Sequence, residues 1–400
     1  MIRRLFSFKP MCFVIGILVL FLCVGVMAGF ETWASEKTVL KWKNYSSTKG
    51  DIPVPGSTQQ TACQVLDIDK DGVDDFVIGC RKKPPAMTWF KRSGEKWKKF
   101  LIDGDLLPIE AGGAFEDIDG DGDLDIVMGE DASGNKMYWW ENPYPNYEPD
   151  VPWKRYIIKN SGANKHHDQI FGDFDGDGKP ELFYWNNRAF KLFFAEIPGD
   201  PKNTQPWPAA LVYTAESESE GLARCDINGD GKIDLIGGGR WFEHQGGNKF
   251  KAHIVDDTQR FTRSGAGQLV IGGWGEIVFV VGDGVGRMKW YEIEDNKWTG
   301  HDLLGFDVDH GHSLVLADMN QDGNLDIFCG EMRLNNGNED AGMWVFLGDG
   351  RGNFTKTEVA SGYGVHEAHL GDLDGDGDLD ICAKPYNWNT PRLDVWLNVQ

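Results

Sequence analysis

Short apolar runs recur along this chain, and each follows an acidic stretch. They are "FVIGC" from Phe76, "IVMGE" from Ile126, "LFYWN" from Leu182, "LIGGG" from Leu235, "IFCGE" from Ile327 and "ICAKP" from Ile381. Apolar runs this short, bounded by turn residues, predict buried strands rather than helices. Before each run stands a nine-residue segment of the form D-x-[DN]-x-[DN]-G-x-x-[DE], as in "DIDGDGDLD" from Asp117. Its glycine permits a sharp turn, so each acidic segment is a loop joining two strands of a hairpin.

The loops begin at Asp67, Asp117, Asp173, Asp226, Asp318 and Asp372, about 50 residues apart apart from one doubled interval. Inside that interval lies "AGQLVIGGWGEIVFVVGDG", which has the two strands without the acidic loop. Seven repeats of this period predict an all-β fold, a seven-bladed β-propeller with four strands per blade. A second motif precedes each new blade: "KWKKFLID", "WKRYIIKN", "FKAHIVDD", "WTGHDLLG" and "FTKTEVAS". It reads as the outer strand. The last blade has no such segment after its loop, but "LKWKNYSS" at the other end of the chain matches it. Residues near Trp42 are therefore expected to pair with residues near Trp396 and remove the exposed sheet edges. The propeller is expected to span residues 36–400.

The loops themselves carry cation chemistry. Oxygen-bearing side chains at positions one, three, five and nine can wrap a hard cation with many oxygen ligands, which is calcium behaviour; Mg²⁺ keeps more of its waters. The expected ligands are Asp67, Asp69, Asp71 and Asp75; Asp117, Asp119, Asp121 and Asp125; Asp173, Asp175, Asp177 and Glu181. The other three loops offer Asp226, Asn228, Asp230 and Asp234; Asp318, Asn320, Asp322 and Asp326; Asp372, Asp374, Asp376 and Asp380. Strands rather than helices flank them, so they are not EF-hands. The formal net charge is −22, which six divalent ions would offset by about half. Such a charge repels phosphate backbones and excludes nucleic acid as a partner.

Composition adds little to this fold but something to its setting. The 51 glycines and 16 tryptophans suit a turn-rich strand protein. At the N-terminus Arg3, Arg4 and Lys9 precede or border an apolar run, "MCFVIGILVLFLCVGVMAGF". Residues 1–35 are expected to be a signal peptide, cleaved after Ala28 or Ala34, or an uncleaved membrane anchor. The protein is then secreted, periplasmic or at the cell surface. A lipoprotein box at Cys23 is disfavoured by the bulky Leu22. Of the remaining cysteines, Cys80, Cys329 and Cys382 read as small buried strand residues, and Cys63 with Cys80 is the disulfide to check.

Chemistry is expected on the face opposite the loops. Six residues before the first loop aspartates stand Thr61, Ala111, His167, Glu220, His312 and His366. His166, His310, Glu110 and Glu218 lie close by, and Arg263 falls near the start of the loop-less blade's inner strand. Second strands end at Glu130 and Asp131, Asn186 and Asn187, Arg240 and Trp241, Glu331 and Arg333, and Lys384, Tyr386 and Asn387. These two sets should converge at the channel mouth. His167, His312, His366, Arg240, Lys384 and Tyr386 suit proton abstraction beside a carbonyl or carboxylate, with cations stabilising the enolate-like charge. Glu110, Glu220, His310, Arg333, Trp241 and Trp388 are candidate substrate contacts, the tryptophans for stacking on sugar rings. Glu110 with Glu218 is an alternative glycosidase pair. His310, His312 and His366 offer three nitrogen ligands for a catalytic zinc; the metal-free reading is preferred. The tryptophans of "TWF", "YWW", "RWF" and "KWY" recur with the blades and read mainly as packing.

On these loops and repeats the chain resembles the FG-GAP/VCBS family, whose fold is the seven-bladed propeller of the integrin α-subunit head. The resemblance implies structural calcium between the first two strands of a blade. It leaves function open among adhesion heads, carbohydrate binders and sugar-cleaving enzymes. "GHSLVLADMNQDGNLDIFCGEM" and "HEAHLGDLDGDGDLDICAKPYNW" also resemble propellers similar to aldos-2-ulose dehydratase. The leading expectation is a carbon–oxygen lyase or dehydratase acting on a sugar or uronate. The alternative is a non-catalytic adhesion propeller that binds glycan or protein.

Overall fold

The computed structural model describes residues 39–295 and 297–399. The leader or anchor expected in residues 1–35 lies outside them. The described chain forms seven antiparallel sheets of four strands each. Blade one runs Gln60–Leu66, Asp75–Cys80, Met87–Ser93 and Lys96–Asp103, from the channel outward. The next five blades repeat this order, and in six blades the acidic loop joins the first two strands. Blade seven is composite. Glu367–Gly371, Asp380–Lys384 and Asp394–Asn398 take their fourth strand from Trp42–Ser46, with Trp42 opposite Asn398 and Asn44 opposite Trp396. The five outer-strand motifs lie in Lys96–Asp103, Lys154–Lys159, Lys249–Ile254, Lys297–Asp309 and Phe354–Ser361. Blade three's outer strand is Ala210–Thr214, whose "ALVYT" carries none of the motif's lysines.

The core sits between blades. Each of the seven apolar clusters of the described residues joins two neighbouring blades. Trp89 of blade one, for example, packs with Ile126, Met128 and Trp140 of blade two. Second strands such as Asp125–Gly129 are buried throughout, because neighbouring blades cover both faces.

The ninth loop residue proves to be a staple. Asp125 accepts from the Ile118 amide at 3.1 Å and the Asn142 amide at 2.8 Å, tying the loop to the end of the third strand. Asp234, Asp326 and Asp380 repeat both bonds. Blade five has no acidic loop but keeps the device, with Glu276 accepting from Leu269 and Val270.

The cysteine expectation needs correcting. Gln60, not Cys63, faces Cys80 across the hairpin, and Cys63 faces Ile78. All five described cysteines are free thiols. Cys63 Sγ instead lies 3.8 Å from Cys382 Sγ of blade seven. Among the described residues no helix is long and apolar enough to cross a membrane.

Candidate functional site

The six loops share one conformation. In each, the first aspartate accepts from the amide of the sixth-position glycine at 2.8–3.1 Å. That glycine has φ between 84° and 91°, a region that excludes ordinary side chains. The donor sets fit a hard cation. Ligand atoms of Asp67, Asp69 and Asp71 lie within 4.8 Å of one another. The same holds for Asp117, Asp119 and Asp121, for Asp173, Asp175, Asp177 and Glu181, and for Asp372, Asp374 and Asp380. Buried oxygens of Asp69, Asp75, Glu181 and Asp374 have no hydrogen-bond partner. Burial, then the neighbouring aspartates, pushes Asp75 up to about 9 and Asp125 and Asp380 to about 8. Ammonium groups already answer this demand: Lys91 bridges Asp69 and Asp71, and Lys202 stands 2.6 Å from Asp119. A bound calcium would supply that charge structurally.

At the opposite ends of the inner strands the histidine column assembles. His312 stacks on His366 with ring centres 4.2 Å apart, and Tyr386 stacks on His366 at 4.8 Å. His167 lies 5.6 Å from His312. Lys384, fully buried, places Nζ 2.8 Å from His366 Nδ1, 2.9 Å from the Gln60 carbonyl and 3.5 Å from Glu367. Burial lowers Lys384 to about 8 against the upward pull of Glu367, Cys63 and Cys80. Burial and then Lys384 hold His366 well below its ordinary value. Tyr386 accepts from Arg81 at 3.1 Å, and burial holds its phenol above the ordinary value.

A second group surrounds His167. Its Nδ1 bonds Asp168 Oδ2 at 2.7 Å, and Asp168 is held by Arg263 at 2.7 Å and by the Gly221 amide at 2.7 Å. Burial alone would lower His167, but Asp168 and Glu220 outweigh it and raise the imidazole to about 9. Asp168, Arg263 and Glu367 also line a cavity of about 370 Å³ between the inner strands, with Gln64, Phe115 and Arg224. The cluster therefore sits at one end of the central channel.

Other expected residues fall elsewhere. Arg240 bonds the Gly238 carbonyl and Asp257, both at 3.0 Å, and none of its partners belongs to the histidine cluster. Trp241 is buried, stacked on His253 and packed against Trp274 and Trp298. It faces its neighbouring blade, so the sugar-stacking role is withdrawn. The Trp388 ring is covered by the guanidinium groups of Arg333 and Arg392. His310 pairs with Asp309 at 2.5 Å at the half-buried rim. Glu110 is ion-paired with Arg81, and Glu218 with Lys165 and Arg188, which leaves neither carboxylate of the glycosidase pair free. The zinc trio does not converge either. His312 and His366 are parallel stacked rings whose in-plane lone pairs cannot meet at one ion, and His366 Nδ1 is engaged by Lys384. Asp168 and Glu367 were missed, although each directly follows a column histidine. Lys165 stands two residues before His167, and Arg81 and Asp283 follow the second strands Asp75–Cys80 and Glu276–Val281, so the same register could have found them.

A family model of FG-GAP-like repeats matches residues 117–184, 173–237 and 318–383. These segments carry FG-GAP-like repeats, and the described chain is a seven-bladed β-propeller. No curated protein sequence matches this propeller. Among solved structures it is similar to BBS1N, crystallised in complex with ARL6DN, at 11% identity and a TM-score of 0.57, over 91% of this chain and 98% of that one. It is also similar to the biofilm matrix protein Bap1 of V. cholerae, at 13% identity and a TM-score of 0.42, over 90% of this chain and 70% of that one. The likeness to BBS1N is one of fold.

Proposed function

We propose that this FG-GAP propeller is an exported, calcium-stabilised enzyme that eliminates water or an alcohol from a sugar or uronate at the channel mouth. The observation that carries it is the stack of Tyr386 on His366 with the buried amine of Lys384 on the imidazole's far nitrogen. With a neutral amine, His366 Nδ1–H donates to Lys384 and Nε2 is a base. Nε2 takes the hydrogen beside the substrate carbonyl or carboxylate while the Nδ1 proton passes to Lys384. The β carbon–oxygen bond breaks, and the Tyr386 phenol protonates the leaving oxygen. Arg81, bonded to Tyr386, stabilises the enolate-like charge. Export rests on the basic and apolar N-terminal sequence.

One observation favours the rival, a binding propeller. Arg81, Lys165 and Arg263 are all committed to carboxylates, as in a static channel plug. The fold neighbour BBS1N is itself crystallised with a protein partner. The test is a screen of acidic and neutral glycans with calcium present, reading the ultraviolet absorbance of an unsaturated product. Turnover should fall at least ~100-fold in His366→Ala and in Lys384→Met. Absence of turnover from a folded protein that retains glycan or protein binding would establish the rival.

A further inference from the structure

The channel mouth holds a donor set that the elimination chemistry above does not use. His167 Nε2, a Glu220 carboxylate oxygen and a His312 nitrogen converge there, from blades three, four and six. Their ligand atoms lie within 4.8 Å of one another, and all three residues are buried. His167 Nε2 is 3.7 Å from Glu220 Oε2. We propose that His167, Glu220 and His312 bind one transition-metal ion of the zinc class, distinct from the calcium loops.

Three features make this a built site. Glu220 has no exposed surface; Lys165 occupies Oε1 at 3.0 Å, while Oε2 has no hydrogen-bond partner. A buried carboxylate oxygen left unpaired is costly unless something charged meets it. Each histidine, moreover, has its far nitrogen engaged. His167 Nδ1 donates to Asp168, and His312 Nδ1 donates to the His366 carbonyl at 2.9 Å. Once a metal displaces the His167 Nε2 proton, both imidazoles offer Nε2 to an ion beside Glu220, the arrangement in which outer carboxylates and carbonyls orient metal-binding histidines. The Asp168 carboxylate is in turn fixed by Arg263 and Gly221.

The donor chemistry selects the ion. Two imidazole nitrogens and one carboxylate suit zinc or a neighbouring divalent metal, whereas calcium takes oxygen ligands. Tetrahedral bonds of about 2.0–2.1 Å place ligands roughly 3.3 Å apart, so the widest pair closes by at most about 1.5 Å on binding. Asp283 Oδ1 lies 3.9 Å from His312 Nε2 on the solvent side, where a fourth ligand or water would stand.

The experiment uses the full chain in detergent with millimolar calcium to fill the loops. It is equilibrated with zinc, exchanged into zinc-free buffer and assayed for both metals. Wild type should retain one equivalent of zinc. Glu220→Gln and His312→Ala should retain less than about a tenth, with calcium unchanged, and Asp168→Asn should bind ~10–100-fold more weakly. Zinc retained by both ligand variants, or none held by wild type, would overturn the proposal. Should the variants fail to fold, cobalt substitution of wild type decides: visible d–d bands that saturate at one equivalent support the site, and their absence refutes it.

Discussion

Lys384 is a fully buried amine whose neighbours are His366, Glu367, the Gln60 carbonyl, Cys63 and Cys80. Its folded value of about 8 lies below the ordinary 10.5. Between these values the unfolded chain holds the proton more tightly, so stability from this group rises with pH across the window. It is fully present above 10.5 and lost as pH falls through 8. Denaturant titrations at pH 7.5, 9 and 10.5 should show wild type gaining stability relative to Lys384→Met; parallel curves would contradict the assignment. Glu276 offers a test free of calcium, since its blade has no acidic loop. Glu276→Ala leaves two amides unpaired and should cost about 2–4 kcal/mol in urea unfolding, equally with calcium or chelator. A cost that vanishes in chelator would mean the carboxylate works through an ion. At this scale the sequence was partly legible. The loop register located His167, His312 and His366, because residues a fixed distance before a turn share one end of their strands. Trp241 misled, because its neighbour Arg240 stands at a strand start while alternation directs Trp241 against the next blade.

The blades were the most legible elements, since apolar run and acidic loop alternate with a constant period. The outer strand of blade three escaped notice because "ALVYT" is half-exposed and lacks the lysines of its counterparts. Each loop folds around its own first aspartate, so the loops should lose cations largely one at a time. Asp117→Ala should remove one calcium equivalent and leave the others, read by elemental analysis after buffer exchange; an unchanged content would refute binding at that loop. At calcium a hundredfold above its dissociation constant, each filled loop adds about 2.7 kcal/mol. Chelation should therefore lower Tm by well over ten degrees if the loops unfold with the blades. A Tm indifferent to chelator would leave the loops without a structural ion.

For the molecule as a whole, the decisive contact is the pairing of Trp42–Ser46 with Asp394–Asn398. The motif "LKWKNYSS" made this legible, because an outer strand was missing from one end and present at the other. The channel cluster was less so: its ion pairs join Arg81 to Glu110 and Arg263 to Asp168 across blades, and no periodicity encodes which charges meet. Deleting residues 42–46 should expose the edge of Asp394–Asn398, lower the unfolding midpoint and produce higher oligomers on size-exclusion chromatography. A monomer of unchanged midpoint would show that closure is dispensable. The same pairing has a consequence for synthesis. The segment that completes the ring is among the first of the described residues to be made, and its partner is among the last. A growing chain therefore stays an open arc with a waiting strand until Asp394–Asn398 has emerged. A stop before Asp394 leaves the Trp42–Ser46 strand without its partner and the ring with bare sheet edges.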